Sequence, residues 1–264
     1  LWNSFSDRIS TIYLPDRKRP MMPASLSNCV CSLCEKVVRL AFAIDITIIN
    51  GEIIGYKFEN TYINVYKNHV YESKELKKDD NYKLMFHVVD ELSKIYKYTT
   101  NIKSSHDIVS YLMILMNYYT AIEMTKHNNG IYRSVNFKSS TEEHATLPED
   151  VNNFLKIWNS SCGQYDLYDE RKCHEMLQLE SYIHCTSPIR RLVDLLNMAR
   201  LQKNLQLVDY STSFEKFEQQ WTSRLEYINT TMRAIRKIQS DCCLLEMCTN
   251  KPEIFDKEYD GYIF

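Results

Sequence analysis

The chain has 264 residues, enough for one large domain or two small ones, with 25% charged and 44% hydrophobic residues. Its net charge of −2 excludes an overall basic coat for nucleic acid, though not a local basic channel. Five glycines and six prolines leave little material for Gly-rich phosphate loops, and no GxGxxG or Walker pattern occurs.

The first third reads as strands and turns. "STIYLPDRKRPMMP" carries Pro-centred turns at Pro15 and at Pro20 to Pro23. "RLAFAIDITIINGEIIGYKFENTYINVY" alternates β-rich runs around Asn50-Gly51, a type I′ hairpin signal. From about Asn81 the period turns helical, most clearly over Lys83 to Tyr96 and Ile108 to Lys126. The apolar run Ile108 to Met124 carries Asn117 and Glu123, so it reads as a buried core helix and not a membrane span. "HNNGIYRSVNF" (His127 to Phe137) is a break followed by a short extended piece. "EEHATLPEDVNNFLKIWN" starts another helix after Pro148. Long amphipathic segments follow Ser187, and again run from Ser213 to about Met247. Strands first and helices after give an α+β pattern.

Nine cysteines without a signal peptide read as reduced thiols, placing the chain in the cytoplasm or, secondarily, the nucleus. Cys29, Cys31 and Cys34 look like half of a zinc site. Buried small hydrophobes are the blander reading.

"SYIHCTSPIRRLVDLL" holds the most chemistry. Thr186 or Ser187 is placed to cap a helix, with Pro188 at its first position and Arg190 and Arg191 in its first turn. Cations are disfavoured there, whereas an anion suits the free N–H groups, the positive dipole end and the guanidinium forks together. A phosphate is one guest. A salt bridge to Asp194, four residues after Arg190 and three after Arg191, is the competing use.

"YIHCTSPIRRLVDL" closely resembles the Y-x-H-F-T-S-P-I-R-R-Y-x-D-L signature of the RNB family of 3′→5′ exoribonucleases, the ribonuclease II type. "STIYLPDRKRPMMPASLSNCVCSL", "IVSYLMILMN", "GIYRSV" and "INTTMRAIRKIQSDCC" resemble further family segments in the same order. "YDGYIF" is similar to the first strand of the OB-fold domain that follows in the family. The resemblance implies an α+β RNB fold, a mixed sheet with helices around a narrow RNA channel. It makes residues 1–256 an RNB domain lacking its aspartate motif and 257–264 the start of an OB-fold domain.

The implied activity is Mg²⁺-assisted hydrolysis of single-stranded RNA to nucleoside 5′-monophosphates. Arg190 would be the catalytic phosphate contact. Tyr13 and Tyr71 would stack on terminal nucleotides, and Tyr182, His184, Ser187 and Arg191 would lie along the RNA. The family's metal-binding aspartates are not matched in this sequence and are expected upstream of Leu1. Asp79-Asp80 and the Asp166, Asp169, Glu170 group do not correspond to them. The alternative is a catalytically inactive RNB-like module that binds RNA or a protein. No membrane is implied, and further OB-fold domains of the same protein are the expected partners.

Overall fold

The computed structural model describes residues 2, 7–99, 101–134, 147–148, 151–152, 155, 163–169, 179–259 and 261. Strands β1 (Ile12–Tyr13) and β2 (Lys18–Arg19) flank the Pro15 turn, which Leu14 N–H closes onto the Arg17 carbonyl at 2.9 Å. A helical turn at Ser25–Val30 leads into the long antiparallel hairpin of β3 (Val38–Ile49) and β4 (Glu52–Asn64). Its two-residue loop is Asn50-Gly51, with φ of 52° and 81°, the left-handed pair that a type I′ turn needs.

One face of this hairpin presents Phe42, Ile44, Tyr56 and Phe58 to two helices. Helix α1 (Asp80–Ile95) is capped by the Asp79 carboxylate, which accepts the Tyr82 N–H. Helix α2 (Ser105–Lys126) opens on a reciprocal capping box of Ser104 and Asp107. It is buried on several sides through Ile108, Tyr111, Leu115, Ala121 and Met124, as its unbroken apolar sequence requires. Among the described residues no helix is long and apolar enough to cross a membrane.

A second core holds the rest together. Strands β5 (Ile131–Ser134) and β6 (Gln164–Leu167) pair antiparallel. They pack with α3 (Leu192–Asn204), α4 (Thr212–Thr222) and α5 (Leu225–Asn250), burying Leu192, Leu196, Phe214, Trp221 and Ile228. Ile9 and Met21 enter the same core, so the start of the chain lies against α3.

The α+β class holds. Among the described residues the strands form three separate antiparallel ladders, not one mixed sheet, with a parallel bridge only at Glu35 and Val65. The amphipathic stretch after Ser213 is two helices, broken at Ser223 and Arg224. The helix expected after Pro148 is seen at Val151, Asn152 and Leu155, and its remainder lies outside the described residues. So do residues 260 and 262–264, on which the expected OB strand falls.

Candidate nucleic-acid interface

The signature segment does not form the helix start read from its sequence. Helix α3 begins at Leu192, and Arg191 is its N-cap residue in an extended conformation, with no side-chain cap. Pro188 to Arg190 is a turn, closed by Arg190 and Arg191 N–H groups on the Ser187 carbonyl at 3.1 and 3.0 Å. The reason is non-local. Ser10 and Arg191 form an antiparallel bridge: Thr11 N–H donates to the Arg190 carbonyl and Leu192 N–H to the Ile9 carbonyl, both at 2.9 Å. The Ser10 hydroxyl adds a bond to the Arg190 carbonyl at 3.1 Å. These bonds hold Arg190 in the turn and Arg191 extended, so neither stands in a first helical turn. Thr186 and Ser187 are accordingly not the cap.

The two arginines have separate fates. Arg191 turns inward onto Asp194, Nε to Oδ1 at 2.7 Å and Nη2 to Oδ2 at 2.9 Å. The first contact is close but poorly aligned as a hydrogen bond, so charge attraction carries it and the second supplies direction. The Ser187 N–H also donates to Asp194 Oδ2, at 2.9 Å. Of the two candidates for the Asp194 salt bridge, Arg191 takes it. Arg190 keeps its backbone pinned and its side chain exposed, with no ion pair among the described residues.

Tyr13 lies close to this turn along the chain, two residues after Thr11. It is 43% exposed, with Lys18 Nζ 5.8 Å from its ring centroid, and its N–H reaches Gln239 Oε1 on α5 at 3.4 Å. Tyr182 is buried, and its hydroxyl accepts a bond from Asn117 Nδ2 at 3.0 Å. Burial pushes its pKa up to about 12. It therefore packs in the core in this structure and presents no open ring face for stacking. His184 is partly exposed, and its Nδ1 lies 2.8 Å from the Tyr165 hydroxyl. Tyr71 is elsewhere: 47% exposed, it stacks on His106 at 3.8 Å in the first turn of α2. Asn117, the contact of Tyr182, is eleven residues further along that helix, about 16 Å by helical rise. The structure thus joins Arg190, Arg191 and Ser187 in one turn, with Tyr13 two residues along the chain from its partner Thr11 and His184 three residues before Ser187, and it leaves Tyr71 apart.

Residues that the sequence did not single out hold this region in shape. Asn197 on α3 is buried. Its Oδ1 accepts the Ile131 N–H at 2.9 Å, and its Nδ2 donates to the Ile131 and His184 carbonyls at 2.8 and 3.0 Å. Asn229 on α5 clamps Tyr165 the same way, through its N–H and carbonyl at 2.7 and 2.8 Å. Lone asparagines inside helical periods give no sequence signal of such roles.

Beside the turn opens an apolar groove of about 950 Å³, lined in part by Leu40, Phe42, Tyr62, Thr186 and Ile189. Cys29 and Cys31 are exposed, so they are not the buried hydrophobes expected of them. Cys185 is buried and its thiol is pushed up to about 12, the opposite of what a nucleophile needs. No group of three His, Cys, Asp or Glu side chains suited to a metal occurs among the described residues, and Asp194 is spent on Arg191. These residues do not fit a Mg²⁺ or zinc centre.

Comparison with known proteins decides the family. The RNB domain family matches residues 1–76 and 72–207. The chain belongs to the RNB domain family. Ribonuclease R of Buchnera aphidicola subsp. Schizaphis graminum is 26% identical over 278 residues, covering 79% of this chain and 38% of its own length. Ribonuclease R of Escherichia coli (strain K12) is 25% identical over 262 residues, covering 72% and 32%. The chain thus spans about a third of the length of these curated relatives. Among solved structures, Mycoplasma genitalium RNase R in complex with double-stranded RNA is similar at a TM-score of 0.69 and 18% identity, covering 91% of this chain and 57% of that one. At that identity the likeness speaks for the RNB fold alone.

Proposed function

We propose that this RNB domain serves RNA degradation, as part of a 3′→5′ exoribonuclease that hydrolyses single-stranded RNA to nucleoside 5′-monophosphates. The observation that carries the reading is the signature turn. Arg190 stands exposed on a backbone fixed by Ser10 and Thr11, while its neighbour Arg191 is already neutralised by Asp194. A cation on a fixed backbone, with no ion pair of its own among the described residues, suits a phosphate oxygen. Tyr13 stands two residues from Thr11 and is partly exposed, a ring on which a base could stack. The resemblance to ribonuclease R supports the substrate class.

In this reading Mg²⁺ is held by carboxylates outside the described residues. Arg190 binds and orients the phosphate, and Tyr13 supports the 3′-terminal nucleotides. The test is incubation of 5′-labelled single-stranded RNA with the full-length gene product and Mg²⁺. Progressive shortening from the 3′ end is expected, and intact RNA refutes the reading.

One observation favours a second reading, a module that binds RNA or a protein without hydrolysis: no metal-binding cluster occurs among the described residues. Salt-dependent RNA binding with no cleavage under any divalent cation distinguishes it from the first.

A further inference from the structure

The RNA reading makes no use of the apolar groove beside the signature turn. Five consecutive residues of β3, Val38 to Phe42, line it, against Asn60 and Tyr62 alone of β4. Successive strand residues face opposite ways, so an unbroken run places the groove round the open edge of β3. Ile189 of the signature turn and Leu195 and Met198 of α3 line it as well.

That edge offers bare main chain. Strand β3 pairs with β4 alone, and alternate residues of an edge strand aim their N–H and C=O groups outward. Among the described residues, no N–H of β3 donates outside the β3–β4 ladder. The side chains at this end of the hairpin are open too. Phe42 packs under the helices, whereas Leu40, on the same face, is 72% exposed and Tyr62 opposite it is 76% exposed. Exposed apolar side chains beside an unpaired edge suit an extended strand, which meets the main chain and the groove together.

The charges argue against RNA as the occupant. Arg39 is the one charged residue that lines the groove. Its Nε, Nη1 and Nη2 donate to the carbonyls of Ser32, Val38 and Cys29 at 3.2, 3.1 and 2.9 Å. That guanidinium is committed to the main chain, so the groove has no cation for a phosphate backbone. An apolar peptide needs none.

We infer that the β3 edge and its groove receive an extended segment of the full-length polypeptide from outside residues 1–264, apolar at alternate positions, which adds as a third strand. Two considerations favour the same polypeptide as the source. The chain spans about a third of the length of the ribonuclease R relatives. A long apolar edge left bare is also an aggregation hazard, and a tethered segment covers it at a high effective concentration.

The experiment uses the full-length protein without RNA. Hydrogen exchange is resolved by residue along β3, and the amides that face away from β4 should exchange at least about a hundredfold more slowly than free amides. This protection should survive dilution. In a second measurement Tyr62→p-benzoylphenylalanine, once irradiated, should cross-link to a peptide outside residues 1–264 at the mass of a monomer. Free-amide rates at the outward β3 amides overturn the inference, even where the cross-linking variant fails to fold. Loss of protection on dilution, or a cross-link at the mass of a dimer, assigns the edge to a second copy and overturns it. A cross-link to single-stranded RNA added to a parallel sample overturns it as well and leaves the RNA reading standing.

Discussion

Arg191 closes onto Asp194 at 2.7 and 2.9 Å, with the Asp194 side chain fully buried, while its neighbour Arg190 stays at the surface. Adjacent arginines of the same signature thus do different work. One builds the turn, and the other is presented by it.

Removing Arg191 leaves a buried carboxylate without its cation. Arg191→Ala should destabilise the fold by about 3–5 kcal/mol, measured by urea unfolding. Arg191→Met combined with Asp194→Leu should recover much of that loss, since neither charge is then buried alone. A single variant as stable as the wild type would show that the pair is not structural.

Removing Arg190 should be silent in the fold and loud in catalysis. Arg190→Ala is expected to abolish RNA cleavage, leave RNA affinity within about tenfold, and keep the wild-type melting temperature. A variant that cuts at the wild-type rate removes Arg190 from the mechanism.

Asn197 is expected to matter although it faces no ligand. Its three bonds tie β5 and the segment at His184 to α3. Asn197→Ala strands buried backbone groups and should cost about 1–3 kcal/mol in urea unfolding. Wild-type stability would mean that those groups find other partners.

Glu72 offers a pH test away from the site. The Ser105 hydroxyl first, then the Ser105 N–H and Lys77, hold its carboxyl at about 2. A depressed folded pKa contributes stability above the unfolded glutamate pKa of about 4.3, and loses it as pH falls towards about 2. The melting-temperature gap between wild type and Glu72→Gln should therefore be full near neutral pH and shrink below about pH 4. A pH-independent gap contradicts this.

The parts legible in the sequence are those fixed by neighbours in the chain. Asn50-Gly51 with alternating runs on both sides specifies the β3–β4 hairpin, and the apolar period over Ile108 to Lys126 specifies α2. The Ser187-Pro188 signal is a genuine helix-start pattern, but it loses to a bridge with Ser10, far away in sequence. The α4–α5 break at Ser223 and Arg224 has no Gly or Pro to announce it. Asn197 was invisible for a related reason: its importance lies in which strand lies opposite, and no local pattern encodes that.

The central claim is that the exposed arginine of the signature turn serves RNA hydrolysis from the 3′ end. The most direct measurement follows 5′-labelled single-stranded RNA with the full-length protein and Mg²⁺, comparing wild type with Arg190→Ala. The account predicts a ladder shortening from the 3′ end with wild type and intact RNA with the variant. Intact RNA with both, or equal shortening with both, would contradict it.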